Sequence, residues 1–344
     1  MNAKILFSIL LATAAPSAAQ FSLEAPLRST GSQLLAVFEP QRQVLQSSSA
    51  LIMDGRDESG YGVVISSDGH ILTKASEFMQ LKQPEVVIDK QLYKSVELLA
   101  QNSRWDVCLI KVEAQDLKPV EYAQSSDLAL GSWVCANGVS SRFRRRLLMG
   151  VISAQPHRIK PSGGLVMGVA IKQEEKKGLV VQAVEAKGGA HAAGIKKGDV
   201  LLSADGKEIK KVEELVEHLK AHHYTGSSVL IELKRGKEEL EFYVELMPSH
   251  QMKPPPNRND MMSGDFSERR SDFPRVVQHS ILGSSKIVGG PLINLDGQCI
   301  GMNIARANRA ESFAIPVEEL HELAEQMIAE SKRRKAGSEE KPGE

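Results

Sequence analysis

The sequence predicts a mainly-β protein: two small barrels, the second of them interrupted by an inserted α+β unit. Three observations carry this. Short runs rich in Val, Ile and Leu recur along the chain and are separated by Gly, Asp, Asn and Pro, the composition of strands and their turns. These runs form two series, and the second stops after residue 154 and resumes at residue 275. The stretch between changes character, with a helical stripe at Val212, Leu215, Val216 and Leu219 set among strands.

At the start, Met1 to Ala19 places Lys4 before an apolar run from Ile5 to Ala15, with small residues Ser17 and Ala19 at a cleavage position. That is the pattern of a secretory signal peptide over 1–19. The apolar run is shorter than the roughly 20 residues a spanning helix needs. A periplasmic or secreted chain with no integral membrane segment is therefore expected.

In the N-terminal segment, 20–45, Leu34, Leu35, Phe38 and Val44 with polar residues between them predict a short helix broken near Pro40. The first barrel, 46–122, is expected from six strand-like runs: Ala50 to Met53, Gly62 to Ser66, His70 to Lys74, Glu85 to Ile88, Val96 to Ala100 and Val107 to Val112. The second barrel takes Trp133 to Ala136 and Leu147 to Ala154 from 123–160. Its remainder, 272–328, adds Arg275 to Ile281, Pro291 to Asn294, Gln298 to Ile304, Ser312 to Ile315 and a helix from Val317 to Ala329.

The inserted unit, 161–248, reads as strands at Val166 to Gln173 and Leu179 to Val184, a turn and strand at Gly194 to Leu201, an amphipathic helix at Val212 to Ala221, and two closing strands ending by Leu246. Residues 249–271, with Pro254, Pro255 and Pro256 among many charges, predict a loose linker. The tail, 329–344, predicts disorder.

Composition narrows the function. With 43 basic and 43 acidic residues the chain has no net charge, which gives no basis for nucleic acid as a partner. The basic group Arg142, Arg144, Arg145 and Arg146 is expected in a solvated loop between strands. Cys108, Cys135 and Cys299 lie in apolar runs at wide spacing and are expected to be core thiols, with one bridged pair left open. No cofactor and no metal site is expected.

Four strings in order, GYGVVISSDGHILTKAS, SRWDVCLIKV, GSWVCANG and GGPLINLDGQCIGMNIARANRAESFAIPVEEL, resemble the HtrA (Deg) family of trypsin-like serine proteases. The inserted unit, from VMGVAIKQEEKKGLVVQAV to KKVEELVEHL, is similar to the PDZ domain that such proteases carry. The resemblance implies a trypsin-like pair of perpendicular six-stranded barrels with a PDZ domain inserted in the second, where the family usually places it after.

Carried over position by position, the resemblance implies a disarmed triad. The family's histidine position, after Ile71-Leu72-Thr73-Lys74-Ala75, holds Ser76; the aspartate position holds Asp106; and the G-N-S-G-G-P-L nucleophile loop is matched by Lys286, Ile287, Val288 and Gly289, with valine in place of serine. Acyl transfer needs a hydroxyl to attack, an imidazole to take its proton and a carboxylate to hold that imidazole. Only the carboxylate is kept. Lys286 replaces a glycine of the oxyanion loop, and the β-branched Ile287-Val288 pair predicts extended strand geometry there.

For the PDZ domain, the resemblance implies a carboxylate-holding loop at Val166-Met167-Gly168 and a receiving edge strand at Val169-Ala170-Ile171, with Leu215 and Leu219 of the facing helix as groove residues or core. An apolar C-terminus or unfolded segment is the expected ligand. The function implied is an exported pseudoprotease acting as scaffold or regulator. Two alternatives stand beside it: an endopeptidase with a displaced site drawing on Ser284, Ser285, His70 or His279, and a non-catalytic subunit assembled with an active relative or as a trimer through Gln33 to Phe38.

Overall fold

The structure is a computed structural model. The structure describes residues 24, 31–141, 144–161, 164–175, 178–249, 265–267, 269–308 and 310–339; the segment 1–19 expected to be a signal peptide, Arg142, and residues 250–264 and 340–344 lie outside them. Residues up to Glu39 and residues from Pro40 onward form two separate units.

In the first unit, α1 (Ser32–Val37) is one short helix. The next helix, α2 (Glu39–Ser48), contains Pro40 at its second position. The break that the sequence predicts near Pro40 falls at Phe38, after α1 has ended, and Pro40 is accommodated in the first turn of the next helix, where its missing N–H has no intrahelical partner to serve.

Seven strands build the first sheet: β1 (Ser49–Asp54), β2 (Asp57–Val64), β3 (His70–Lys74), β4 (Pro84–Ile88), β5 (Gln91–Tyr93), β6 (Val96–Asn102) and β7 (Val107–Val112), in the order β5-β4-β1-β2-β3-β7-β6. The sequence accounts for six of them. The seventh, β5, is a three-residue hairpin partner of β4, too short to show alternation. A four-residue helix, α3 (Ala75–Phe78), follows β3 directly.

The second barrel is closed and six-stranded, with β8 (Trp133–Ser141) and β9 (Arg144–Ile159) before the insertion and β18 (Phe273–His279), β19 (Pro291–Ile293), β20 (Cys299–Arg306) and β21 (Ser312–Pro316) after it. Between β9 and β18 stands a unit with β10 (Leu165–Val166), β11 (Val169–Glu174), β12 (Gly178–Val184), α4 (Gly189–Ala193), β13 (Val200–Ala204), β14 (Lys207–Glu208), α5 (Val212–His222), β15 (Ser228–Arg235), β16 (Glu238–Glu245) and β17 (Met247–Pro248). Its main sheet runs β11-β12-β13-β15-β16, which leaves β11 on an open edge, while β10 and β17 pair with each other. The sequence reads 166–173 as one strand; Gly168, at φ +85°, breaks it in two. That left-handed backbone is costly for residues with a Cβ.

Val63, Leu72, Leu109, Phe273, Met302 and Phe313 share one core with Leu320, Leu323 and Met327 of the last helix, α6 (Val317–Glu339). The helix continues ten residues past the predicted end at Ala329, through Glu339, and the Arg334–Glu330 pair on successive turns supports that extension. The predicted linker is likewise not loose at its far end. Arg269 is 4 % exposed and Asp272 fully buried, and the Arg269 guanidinium donates to the carbonyls of Ser103, Arg104 and Asp272. All three cysteines are buried free thiols, so no bridged pair forms. Burial pushes the Cys135 and Cys299 thiols up to about 12.

Candidate functional site

β3 and β7 are antiparallel neighbours with Lys74 opposite Val107, which sets Asp106, at the mouth of β7, beneath the start of α3. Asp106 has φ +59°, a left-handed conformation that aspartate tolerates better than most side chains. The turn aims its carboxylate inward. Oδ1 accepts the Ser76 backbone N–H at 2.8 Å, Oδ2 accepts the Ser76 hydroxyl at 2.8 Å, and the Asp106 carbonyl accepts the Ala75 N–H at 2.8 Å.

One further partner of Asp106 was not singled out from the sequence. Lys74 Nζ lies 2.7 Å from Asp106 Oδ2, with the lysine side chain 1 % and the aspartate 4 % exposed. The same ammonium donates to the Arg269 carbonyl at 3.0 Å. The one sequence signal was a lysine closing the apolar run Ile71-Leu72-Thr73, whose partner only the β3–β7 register supplies. A buried charge persists only where it is paired and hydrogen-bonded.

At Lys286 to Gly289 the extended geometry expected for Ile287 and Val288 holds only at Val288, with φ −69° and ψ 160°. Ser285–Ile287 forms a 3-10 turn, with Ile287 and Val288 each 2 % exposed and Lys286 directed to solvent. The turn consumes the local donors. The Val288 N–H goes to the Ser285 carbonyl at 3.3 Å and the Gly289 N–H to the Asn303 carbonyl at 2.6 Å, while the Val288 carbonyl accepts the Tyr61 N–H at 2.9 Å. Gly289 has φ +84°, and a Cβ there would meet the Tyr61 carbonyl oxygen at 2.1 Å. The loop is thus pressed against β2.

Val288 and Lys74 face a common cavity, with Thr73, Glu77 and Phe78 also on its wall, and its volume is about 10 Å³. That is room for about one water molecule. A far larger cavity, about 750 Å³, opens among α2, Asp89, Lys90, Lys118 and Asp296, and no triad position lines it.

The serines and histidines available for a displaced site do not assemble one. Ser285 Oγ donates to Asp265 at 2.7 Å. His279 is wholly buried, its Nδ1 accepts the Ile281 N–H at 3.3 Å, and burial lowers its pKa to about 4. His70 uses a single nitrogen, Nδ1, toward both Ser66 Oγ at 3.0 Å and Asp68 Oδ1 at 2.9 Å. A triad needs one ring nitrogen for each partner. Hydrogen bonds from Lys111, then from Ser66, hold Asp68 well below the usual carboxylate range. Among the described residues, no histidine is hydrogen-bonded to Ser284 or Ser285.

In the inserted unit, Val166 ends β10, and Met167, 3 % exposed, packs into the core. The Gly168 carbonyl accepts the Glu185 N–H at 2.9 Å. Backbone polar groups alternate in direction along a strand, so those of Val169 point to the open edge. Val169 and Ile171 pack partly on the unit's core and Ala170 is exposed. Leu215 and Leu219, each 3 % exposed, are core residues of α5 rather than free groove walls. Val216, between them in sequence, is the large apolar side chain that this helix exposes, at 37 %.

A trypsin-like peptidase domain model matches residues 60–190 and a PDZ domain model matches residues 166–246. The overlap at 166–190 falls in β10 to α4, which the structure assigns to the inserted unit. A probable periplasmic serine endoprotease DegP-like of Pseudomonas fulva is 34% identical over 96 residues, covering 28% of this chain and 20% of that protein. Its counterpart from Bartonella henselae is 25% identical over 310 residues, covering 67% of this chain and 61% of that protein. The chain thus spans less than two thirds of either relative. The crystal structure of the serine endoprotease from Yersinia pestis covers 61% of this chain and 97% of its own at a TM-score of 0.33 and 16% identity, too loose a superposition to bear weight.

Proposed function

The chain is an HtrA-family protein with a trypsin-like fold and a PDZ domain, and from that premise we propose that it is an exported pseudoprotease, catalytically inert, that binds polypeptides through the edge of its PDZ domain. The relatives named as periplasmic endoproteases favour a periplasmic or secreted location. Apolar C-termini and unfolded segments are the ligands that suit an open edge strand, whose backbone groups pair with an added strand. Its action is that of a scaffold or regulator.

The observation that carries the inert reading is the Lys74–Asp106 ion pair. In a working triad the carboxylate fixes a histidine's tautomer and stabilises the imidazolium that forms. Here the carboxylate at the aspartate position already balances a buried ammonium and accepts both hydrogen bonds of Ser76. Ser76 and Val288 supply neither base nor nucleophile, and the Val288 N–H is spent within its own turn. An oxyanion hole requires such donors to point at the developing charge.

Fluorophosphonate labelling and casein hydrolysis on the purified full chain, beside an active relative, test this. No labelled serine and no turnover are expected. Labelling of a serine, with turnover abolished when that serine is replaced, overturns the reading.

A further inference from the structure

The inserted unit holds a cluster of ionisable side chains that the peptide-binding reading leaves unused. Asp205 stands in the turn after β13, His218 on the buried side of α5, and His223 just beyond its end. Both imidazoles present Nε2 to the same oxygen, Asp205 Oδ2, at 2.7 Å. One ligating atom from each of the three residues lies within 4.8 Å of the others. We propose that Asp205, His218 and His223 form a binding site for a divalent transition-metal ion of the zinc type.

Neutral imidazole and carboxylate are the donors that zinc takes, at about 2.0–2.2 Å from the metal, with three protein ligands leaving a position for water. In a tetrahedral arrangement those bonds separate neighbouring donors by about 3.3 Å. The present 2.7 Å contacts therefore widen by about 0.6 Å, within reach of a small rotation of the Asp205 carboxylate. The histidine side chains are 8 % and 10 % exposed, whereas the aspartate is 34 % exposed. Two desolvated nitrogens thus stand behind a carboxylate that faces water, and an aquated ion reaches them from the carboxylate side.

Supporting contacts fix the donors. Asp205 Oδ1 accepts the Leu230 N–H at 3.0 Å, and the Asp205 N–H donates to the Leu230 carbonyl at 2.8 Å. His223 Nδ1 lies 3.2 Å from Ser227 Oγ, the type of outer contact that holds a ligating imidazole in its tautomer. His218 Nδ1 has no such partner. It is the weaker ligand, and the expected affinity is below that of a closed four-ligand structural site. The separation of 13 residues between Asp205 and His218 hides the site from any sequence spacing rule.

The test uses the full chain stripped of metal. Zinc is titrated by calorimetry and cobalt(II) by visible absorption. One ion per chain is expected, with a d–d band from cobalt and a rise in Tm with zinc, as follows when a ligand binds only the folded state. Asp205→Asn keeps a residue that tolerates φ +51° and an acceptor for Leu230, and His223→Gln keeps a polar side chain of similar reach. Each is expected to weaken binding by about tenfold or more, as loss of a ligand or its support does, with unchanged far-UV circular dichroism. His70→Gln, a distant control, leaves the titration as it was. Absence of saturable binding, or binding undiminished in both variants, overturns the proposal; should Asp205→Asn lose its fold, His223→Gln decides alone.

Discussion

Lys74 and Asp106 form an ion pair, 2.7 Å from Nζ to Oδ2, in which both side chains are almost wholly shut off from water. Removing one partner strands the other's charge. Lys74→Met is expected to destabilise the protein by about 3–5 kcal/mol, the usual result of breaking a buried pair. The double variant Lys74→Met/Asp106→Asn keeps an acceptor for the Ser76 N–H and removes both charges, so its loss should be smaller than that of Lys74→Met alone. Urea denaturation of the three proteins measures the difference.

On the proposed reading, the same pair governs what placing a histidine and a serine at the inferred triad positions can achieve. Ser76→His with Val288→Ser supplies an imidazole and a hydroxyl, yet the carboxylate stays engaged by Lys74 and the cavity beside it holds only about 10 Å³. The double variant is expected to stay unlabelled by fluorophosphonate and inactive on casein. Turnover clearly above background would show that the ion pair is no obstacle.

Acid should weaken the protein through His279. The buried ring is held neutral, with its pKa lowered from 6.5 to about 4. In the unfolded chain it binds a proton as pH falls below 6.5, whereas in the folded chain it resists until about 4. Stability from this group is therefore complete above pH 6.5 and lost progressively down to about pH 4. The loss amounts to about 3 kcal/mol. Denaturation curves across that window should fall more steeply for the wild type than for His279→Gln.

Much of this framework is legible in the sequence because hydrophobic alternation and turn residues mark strands directly. Six strands of the first sheet, and the break in the second barrel, come from that pattern. Lys74 does not, since its meaning depends on the β3–β7 register that brings Val107 opposite it. Leu215 and Leu219 illustrate a related limit: a stripe at helical spacing announces that a face is buried without saying whether core or ligand buries it. The 3-10 turn at Ser285–Ile287 runs against the strand preference of Ile287, its one β-branched residue, because hydrogen bonds to β2 and β20 hold the loop.

Gly289 shows how closely that loop is held. Its φ of +84° is unfavourable for a side chain, and a Cβ would stand 2.1 Å from the Tyr61 carbonyl oxygen. Gly289→Ala is expected to cost about 3 kcal/mol or more, from backbone strain together with displacement of β2. A thermal melt gives the shift, and a change of only a few tenths of a kcal/mol would contradict the contact.

Peptide binding can be separated from folding at Val169. Its backbone groups point to the open edge, so Val169→Pro removes a donor that an added strand requires while sparing the β11–β12 ladder. Affinity for apolar C-terminal peptides on an array should fall by about tenfold, the loss of roughly one backbone hydrogen bond at an interface. Unchanged binding with an intact fold would place the ligand elsewhere.

The short ladder in which Leu165 faces Pro248 and Val166 faces Met247 has a bearing on assembly. β9 and β18 are hydrogen-bonded neighbours, yet every residue of the inserted unit is synthesised between them. Closing a flexible loop of that length would slow the meeting of two strands, because its entropy is lost before their contacts form. Once β10 clasps β17, the chain leaves the unit beside the point where it arrived. For the barrel, the connection then shortens from a whole domain to the 5 residues between β9 and β10 and the 24 between β17 and β18, so an insert that folds first brings the two halves of the barrel within reach of each other.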